Sequence, residues 1–372
     1  MNRNKKTVFV GMSGGVDSSV TALMLKNRDY NVVGVFMRCY NIDGCAETDA
    51  EDARRVAGQL GIPFYVWDFE EEYKKRVVEY MVQGYRDGLT PNPDVECNRE
   101  IKFGLFFDRA RRMGADYVAT GHYVRLKGKK LYVARDKNKD QSYFLWTLKE
   151  DQLAHCLFPI GDYVKSKVRA IAKRAGLQTA EKKDSQGICF LGKVSVADFL
   201  KNYIPTREGQ IVTTDGQRIG SHEGAYFYTI GQRHGLNLND KKQITKNKEA
   251  VRAHYVAAKD VEKNIITIAE GDDHPALYQQ KINLHQINFL NKKLMDNSIQ
   301  VFARVRYRQP MSAAILKKVD EKELRYQLVF STPQKFVASG QSAVFYVEER
   351  NPSRSSGRRS HELRMLGGGI IE

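Results

Sequence analysis

The chemistry-bearing residues of this sequence gather at one loop and two cysteines. Gly11–Ser19 reads G-M-S-G-G-V-D-S-S. Gly14 and Gly15 can take backbone angles closed to other residues, so consecutive amides can turn toward one ligand. Ser13, Ser18 and Ser19 add hydroxyl donors. Asp17 repels a bare phosphate and suits a polyphosphate carried with Mg²⁺. The loop has neither the lysine of the G-x-x-x-x-G-K-[ST] motif nor the spacing of G-x-G-x-x-G. The plain alternative is a glycine–serine turn that merely caps a helix.

The five cysteines, Cys39, Cys45, Cys97, Cys156 and Cys189, form no C-x-x-C pair. None has a histidine at zinc-site spacing, so no resident metal is expected and an important cysteine would act chemically. Cys97 ends the run T-P-N-P-D-V-E-C. Pro91 and Pro93 stiffen that run and remove two donors, giving an extended entry to a helix expected to begin near Asn98. A thiol beside a helix N-terminus is favoured as thiolate. Asp94 lies on the same segment, where a carboxylate can act as acid or base. Cys189 sits in D-S-Q-G-I-C-F, a small-residue turn that could expose a thiol, although Ile188 and Phe190 equally allow a packed one. Local sequence leaves a buried cysteine open at both places.

The elements that must position these groups alternate. Apolar runs at Thr7–Val10, Asn31–Met37, Phe64–Trp67 and Asp116–Ala119 read as strands. Helical periodicity separates them, as in Glu70–Gln83 and Asn98–Met113. Such alternation predicts an α/β fold with a doubly wound parallel sheet. Ligands of such sheets lie at the carboxyl ends of the strands, where Ser13 and Gly121 fall. The helix start after the loop adds its own positive end to the anion site. Tyr123–Arg135 reads as a hairpin turning at Gly128. Tyr163–Ala175 reads as a basic amphipathic helix stopped by Gly176. Pro205 and Gly209 mark a boundary. From about Lys281 short strands recur at Val301–Tyr307, Ser312–Leu316, Tyr326–Phe330 and Ser342–Tyr346, predicting an antiparallel barrel. The expected domains are 1–204, nucleotide-binding and catalytic; 205–275, small, central and β-rich; and 276–372, the C-terminal barrel. Glu349–Glu362, rich in Ser and Arg, reads as a flexible excursion. A last strand follows, with Met365-Leu366 and Ile370-Ile371 interrupted by three glycines.

The chain of 372 residues is 42% hydrophobic and 28% charged, ordinary for a soluble protein. No apolar run approaches the roughly 20 residues that span a bilayer, and none behind the N-terminal basic residues is long enough for a signal peptide. A cytoplasmic protein without a membrane partner is expected. The net charge of +16 suggests a polyanionic partner, or else a merely solvated basic surface.

Gly11–Ser19 resembles the S-G-G-x-D-S loop of the ATP-pyrophosphatase group. Together with Asn92–Asn98, Gly121-His122-Tyr123, Lys139-Asp140-Gln141, Asp184–Phe190, Tyr228–Arg233 and Arg306–Pro310, it occurs in the order and approximate spacing of the tRNA-specific 2-thiouridylases. The resemblance covers almost the whole chain. It implies that ATP, with Mg²⁺, is held by Gly11, Met12, Ser13, Gly14, Gly15, Val16, Asp17 and Ser18, with Met37 and Gly121 at the adenosine. It implies adenylation of the wobble-uridine 2-oxygen and its replacement by sulfur from a persulfide on Cys189. Cys97 would then attack that persulfide to release sulfide, or close a Cys97–Cys189 disulfide after transfer. Asp94 is implied as general acid/base, with Asn92, Pro93 and Asp94 at the flipped uridine. His122, Lys139, Asp140, Gln141, Arg306, Tyr307 and Gln341 match tRNA-contacting positions. The implied partners are tRNAs for Lys, Glu and Gln and a sulfur-donor protein, a cysteine desulfurase or sulfur relay protein. Met37-Arg38-Cys39-Tyr40 and the charged stretch Lys241–Ala253 depart from the family pattern. Two other readings remain: an amidating ATP-pyrophosphatase, which leaves the cysteines without a role, and a non-catalytic tRNA-binding protein.

Overall fold

The computed structural model describes residues 5–40, 42, 44–184, 190–192, 194–238, 252–290, 298–320, 325–350 and 361–372. The N-terminal part is built on five parallel strands: β1 (Thr7–Gly11), β2 (Asn31–Arg38), β3 (Phe64–Asp68), β4 (Tyr117–Ala119) and, beyond a hairpin, Cys156–Leu157. They lie side by side in the order β3, β2, β1, β4, Cys156–Leu157. Near-continuous apolar runs such as V-F-V in β1 and V-V-G-V-F in β2 suit strands buried on both faces. The chain moves outward from β1 through β2 and β3, then returns to the other side of β1 as β4. The crevice between the ends of β1 and β4 is therefore a topological switch point, the place where such sheets bind ligands. Helix α1 (Val16–Asn27) follows β1, and α2 (Cys45–Leu60) follows β2.

The central part is a five-stranded sheet of Gly209–Thr213, Arg218–His222, Asn237–Leu238, His254–Asp260 and Ile265–Glu270. The C-terminal part closes six antiparallel strands into a barrel, because Tyr278–Phe289 pairs with both Arg325–Lys335 and His361–Ile371. The hairpin of β5 (Val124–Lys127) and β6 (Lys130–Val133) is present and leaves its own neighbourhood: Tyr132 pairs with Arg364 of the last barrel strand. A hairpin carries edge groups that need partners, and the barrel's last strand supplies them.

Two expectations about this end of the chain are corrected. Glu349 and Glu362 are paired strand residues, opposite each other in the ladder between Ser342–Arg350 and His361–Ile371. Lys130 and Tyr132 bind Glu349, and Arg125 and Lys127 bind Glu362. Only the middle of the Ser/Arg-rich stretch, 351–360, lies outside the described residues. The three glycines likewise do not end the last strand, which continues from His361 to Ile371 with a register shift at Leu366, just ahead of them. A Cβ on Gly368 would stand 2.7 Å from Trp146 Cγ, and one on Gly367 would stand 2.0 Å from Asn288 O. Gly368 is where the N-terminal part seats against the barrel, while Gly367 and Gly369 let the strand Tyr278–Phe289 approach closely.

That seat is polar as well as apolar. Trp146 Nε1 donates to Ser342 Oγ at 3.0 Å, Tyr143 OH to Ser342 O at 2.8 Å, and Asn288 Nδ2 to Trp146 O at 2.6 Å. Among the described residues no helix is long and apolar enough to cross a membrane.

Candidate active site

The loop after β1 is shaped by a close approach. Gly14 has φ +71°, and a Cβ there would stand 2.3 Å from the main-chain oxygen of Asp49 in α2. No other residue type fits that space and that backbone angle. Gly15 caps α1, and Asp17 lies in its first turn. Ser18 Oγ accepts from Ser13 N at 3.1 Å and donates to Gly15 O at 3.1 Å, while Ser19 Oγ donates to Gly15 O at 2.8 Å. Two of the three hydroxyls expected to face a ligand are thus bonded back onto their own turn. Ser13 is the exposed one.

Gly121, just beyond β4, lies against the start of α1: a Cβ there would stand 2.8 Å from Ser18 N. On the other flank Met37 Cε lies 3.0 Å from the place of a Gly11 Cβ. Gly11, Met37 and Gly121, far apart in sequence, therefore converge at the carboxyl end of β1. The convergence leaves main-chain amides and an exposed serine at the positive end of a helix, a setting that binds anions.

Asp17 is not a loose carboxylate. It accepts from Tyr123 OH at 2.8 Å and from Lys165 Nζ at 2.7 Å. Lys165, in the basic helix Lys165–Arg174, also reaches Asp184 at 2.8 Å. Asp184 is further bound by Arg169 at 2.7 Å and Lys139 at 2.6 Å. Burial alone would raise the Asp184 pKa, but the hydrogen bonds from Lys139 and Lys165 outweigh it and bring it down to about 2. The Tyr123 hydroxyl is pushed well above its ordinary value by burial and by the Asp17 charge. One lysine thus ties the glycine loop to the residue immediately before Ser185–Cys189.

Ser185–Cys189, and with it the candidate sulfur carrier Cys189, lies outside the described residues. Its two flanks are fixed. Asp184 is held by the cations just named. Phe190 is 2% exposed and stacks within 5.7 Å of Tyr73 and 5.4 Å of Phe199.

The second cysteine sits differently from its sequence reading. The helix starts at Pro93, not near Asn98: Asn92 is the N-cap, its side chain accepting from Val95 N at 3.2 Å. Proline at the first helical position loses no hydrogen bond, and asparagine is a preferred cap. Cys97 is therefore one turn inside the helix, a reduced thiol 4% exposed, and Asp94, half-buried, occupies the first turn. Asn98 Nδ2 donates to Asp94 O at 3.0 Å, whereas its Oδ1 is buried with no hydrogen-bond partner among the described residues. The helix continues through Phe103, which packs 6.0 Å from the His122 ring.

The segment leading into this helix is gripped by the rest of the chain. Gln341 Nε2 donates to Thr90 O at 2.8 Å, and Thr90 N donates to Ser339 O at 2.8 Å. Arg306, which could face solvent on a barrel edge, donates to Ile230 O at 2.6 Å. Tyr307 stacks on Phe144 at 4.4 Å. Two of the positions matched to RNA contacts have inward side chains. His122 is 6% exposed, bonded to Thr120 Oγ1 at 2.8 Å, and burial holds its pKa well below the ordinary value. Asp140 is 2% exposed and pairs with Arg304 at 2.7 Å. Gln141 ties back to Tyr123, accepting from its N–H at 2.9 Å.

Comparison with known sequences decides the family. Sequence models described as the tRNA methyl transferase HUP domain, the tRNA methyl transferase PRC-barrel domain and the aminomethyltransferase β-barrel domain match residues 6–193, 197–270 and 279–371. The chain is 44% identical to the tRNA-specific 2-thiouridylase MnmA of Streptococcus equi subsp. zooepidemicus, over 100% of this chain and 96% of that protein. It is 43% identical to the enzyme of the same name from Streptococcus thermophilus, over 100% and 97% of the two chains. The chain belongs to the tRNA-specific 2-thiouridylases. As a member of that family it is an enzyme of the sulfurtransferase class. The 2-thiouridylase from Halalkalibacterium halodurans is 42% identical over 91% of each chain.

For this thiouridylase, sequence reasoning missed Tyr123, Lys165 and Arg169 as parts of the site. Lys165 and Arg169 were legible only as the polar face of a basic helix, because their partners lie 148 and 15 residues away. Gly14 was found because the glycine–serine pattern around it is contiguous in sequence, although the Asp49 contact that requires a glycine there is not.

Proposed function

We propose that this thiouridylase replaces the 2-oxygen of the wobble uridine of tRNA by sulfur, at the expense of ATP. The proposed work is divided among three units, 1–204 for chemistry, 205–275 as a small central domain and 276–372 as a tRNA grip. The ATP polyphosphate lies along Gly11–Ser18, with Met37 and Gly121 beside the adenosine. Mg²⁺ comes with the nucleotide: Asp17 is engaged by Lys165 and Tyr123, and among the described residues no group of three or more His, Cys, Asp or Glu side chains is arranged to hold an ion.

The uridine 2-oxygen attacks the α-phosphorus and pyrophosphate leaves, which converts a poor leaving group into AMP. The terminal sulfur of a Cys189 persulfide then attacks C2 of the base and AMP departs. Cys97 attacks Cys189 Sγ and breaks its S–S bond, forming a Cys97–Cys189 disulfide. This either releases hydrosulfide, which then attacks C2 in place of the persulfide, or frees the 2-thiouridine from the Cys189–S–S–C2 adduct after AMP has left. An external thiol reductant resets the two cysteines. Asp94 serves as general acid/base, and Asn92 and Pro93 shape the pocket of the flipped base. His122, Lys139, Asp140, Gln141, Arg306, Tyr307 and Gln341 are assigned to the tRNA side, the inward members acting through the segments they hold. The substrates are tRNAs for Lys, Glu and Gln, and a cysteine desulfurase or sulfur relay protein loads Cys189.

The observation that carries this reading is the Lys165 bridge. It supports placing the chain's proposed adenylation loop and the start of the Cys189 segment around one substrate. The test is nucleoside mass spectrometry of unmodified tRNA incubated with the protein, ATP, Mg²⁺ and a sulfur donor. 2-Thiouridine is expected with the native chain and is expected to vanish in Cys97→Ser and in Cys189→Ser. Full product from either variant would sink the two-cysteine scheme. No thiolated base from the native chain would favour the amidating or binding readings.

A further inference from the structure

The central unit has no obvious part in sulfur transfer, yet it touches the segment that carries Asn92, Asp94 and Cys97. Gly88 has φ +76°, and a Cβ there would stand 3.1 Å from both Cγ atoms of Val261. One residue on, Leu89 O accepts from Lys259 Nζ at 3.3 Å, and the same ammonium donates to Tyr228 O at 2.9 Å. Thr90 Oγ1 is 3.5 Å from Thr229 Oγ1. On the opposite side Pro91 packs on Gly84, where a Cβ would stand 2.8 Å from Pro91 Cγ. Leu89 to Pro91 is thus wedged between a central-domain lysine, the barrel's Gln341 and the helix Glu79–Arg86.

Lys259 is unusual in its surroundings. It is partly buried, and among the described residues no carboxylate pairs with it; its partners are two carbonyls and the face of Tyr85, 5.9 Å from the ring centre. Desolvating an ammonium without an anion is costly, so a leucine or methionine would fill the same space at lower cost. What the ammonium alone provides is three donors on one point, enough to fix two carbonyls from different parts of the chain relative to each other. Leu89 O belongs to the entry of the Asn92-capped helix, and Tyr228 O to the Y-T-I-G-Q-R run.

We propose that Lys259 is a positioning residue for thiolation, in which the central unit uses its ammonium to set where the Asn92–Cys97 helix turn begins. It touches neither ATP nor uridine. The proposal rests on the thiolation reading above. It gives the central unit a role in the chemistry: Lys259 on one side and Gln341 on the other hold the stiff prolyl entry, so the position of Asp94 and Cys97 depends on how all three units are docked. Misplacement of reacting groups by about 1 Å can cost about a hundredfold in rate.

Among the described residues the titratable group shown beside this ammonium is Tyr85, from the helix Glu79–Arg86, and Arg306 acts on that same tyrosine. Burial lowers the Lys259 pKa to about 8, and it is the one of these groups that would lose its charge near that pH. The experiment compares the native chain, Lys259→Met, Lys259→Arg and the exposed control Lys263→Met, using unmodified tRNA transcript, ATP, Mg²⁺ and a sulfur donor. Lys259→Met should lower kcat by about tenfold or more while the KM for tRNA stays within about twofold, and Lys263→Met should match the native chain. Lys259→Arg should restore most of the rate and move the alkaline fall of kcat upward, since a guanidinium keeps its proton.

A Lys259→Met enzyme with native kcat overturns the proposal. So does an alkaline limb that stays in place in Lys259→Arg, a measurement that decides even if Lys259→Met fails to fold. Absence of 2-thiouridine with the native chain would instead overturn the thiolation reading on which the proposal stands.

Discussion

At the scale of single residues, the site is organised by charge as much as by glycine. Asp17 and Asp184 would repel each other across the mouth of the loop. Lys165, 13% exposed in its side chain, sits between them at 2.7 and 2.8 Å. Asp184 keeps its charge to about pH 2: burial opposes this, and the Lys139 and Lys165 hydrogen bonds overcome it. The sign follows from linkage. The unfolded chain binds a proton on this carboxylate near the ordinary value of about 3.9, above the folded value, so the folded state gains stability as pH rises between the two. The contribution is complete above about pH 4 and is lost as pH falls toward 2. Asp184→Asn should therefore be less stable than the native chain at neutral pH, with the gap closing across that acid window in denaturant titrations. An equal gap at pH 7 and pH 2 would deny the ion cluster this role.

Among elements, the local rules carried furthest where an element's job is local. Strands β1 to β4, the helix after the glycine loop and the Gly128 hairpin follow from apolar runs, period and turn residues, and they occur as read. The Asn92 cap was misread because two prolines look like an extended approach; proline at the first helical position does the opposite. The three glycines looked like a break because spacing alone does not show that Trp146 comes to rest on Gly368 and the strand Tyr278–Phe289 on Gly367 and Gly369. The same blindness applied to Lys165 and Lys259, whose partners are set by tertiary packing. The glycine seat gives a direct check. Gly368→Ala puts a methyl 2.7 Å from Trp146 Cγ and 2.9 Å from Ala343 O, so the indole or the strand must move. Overpacking of this kind costs about 1–3 kcal/mol. The denaturant midpoint should fall by that free energy divided by the slope, the slope itself staying unchanged, and an unshifted midpoint would mean that the indole yields freely.

For the whole molecule, the net charge of +16 is spread over surfaces of two kinds. Some cations are already paired: Lys130, itself exposed, holds Glu349 at 2.7 Å across the junction of hairpin and barrel, and the buried Arg304 holds Asp140 at 2.7 Å. Others face outward, such as Arg308, exposed and lying 5.3 Å over the ring of Tyr307, on the same turn as Arg306. A polyanion exchanges its counterions most readily for cations that no carboxylate of the protein already answers. If tRNA is the partner, log Kd should rise linearly with log salt, and some six phosphate contacts would cost about a thousandfold in affinity between about 50 and 200 mM. Arg308→Ala should lower the slope by about one, as expected for a lost phosphate contact. Lys130→Ala should leave the slope nearly unchanged and act on stability instead, because its charge is already answered by Glu349. A flat salt dependence in the native chain would show that the excess charge is only a solvated surface. Equal slope changes in the two variants would show that the ion pairs at the hairpin open when RNA binds.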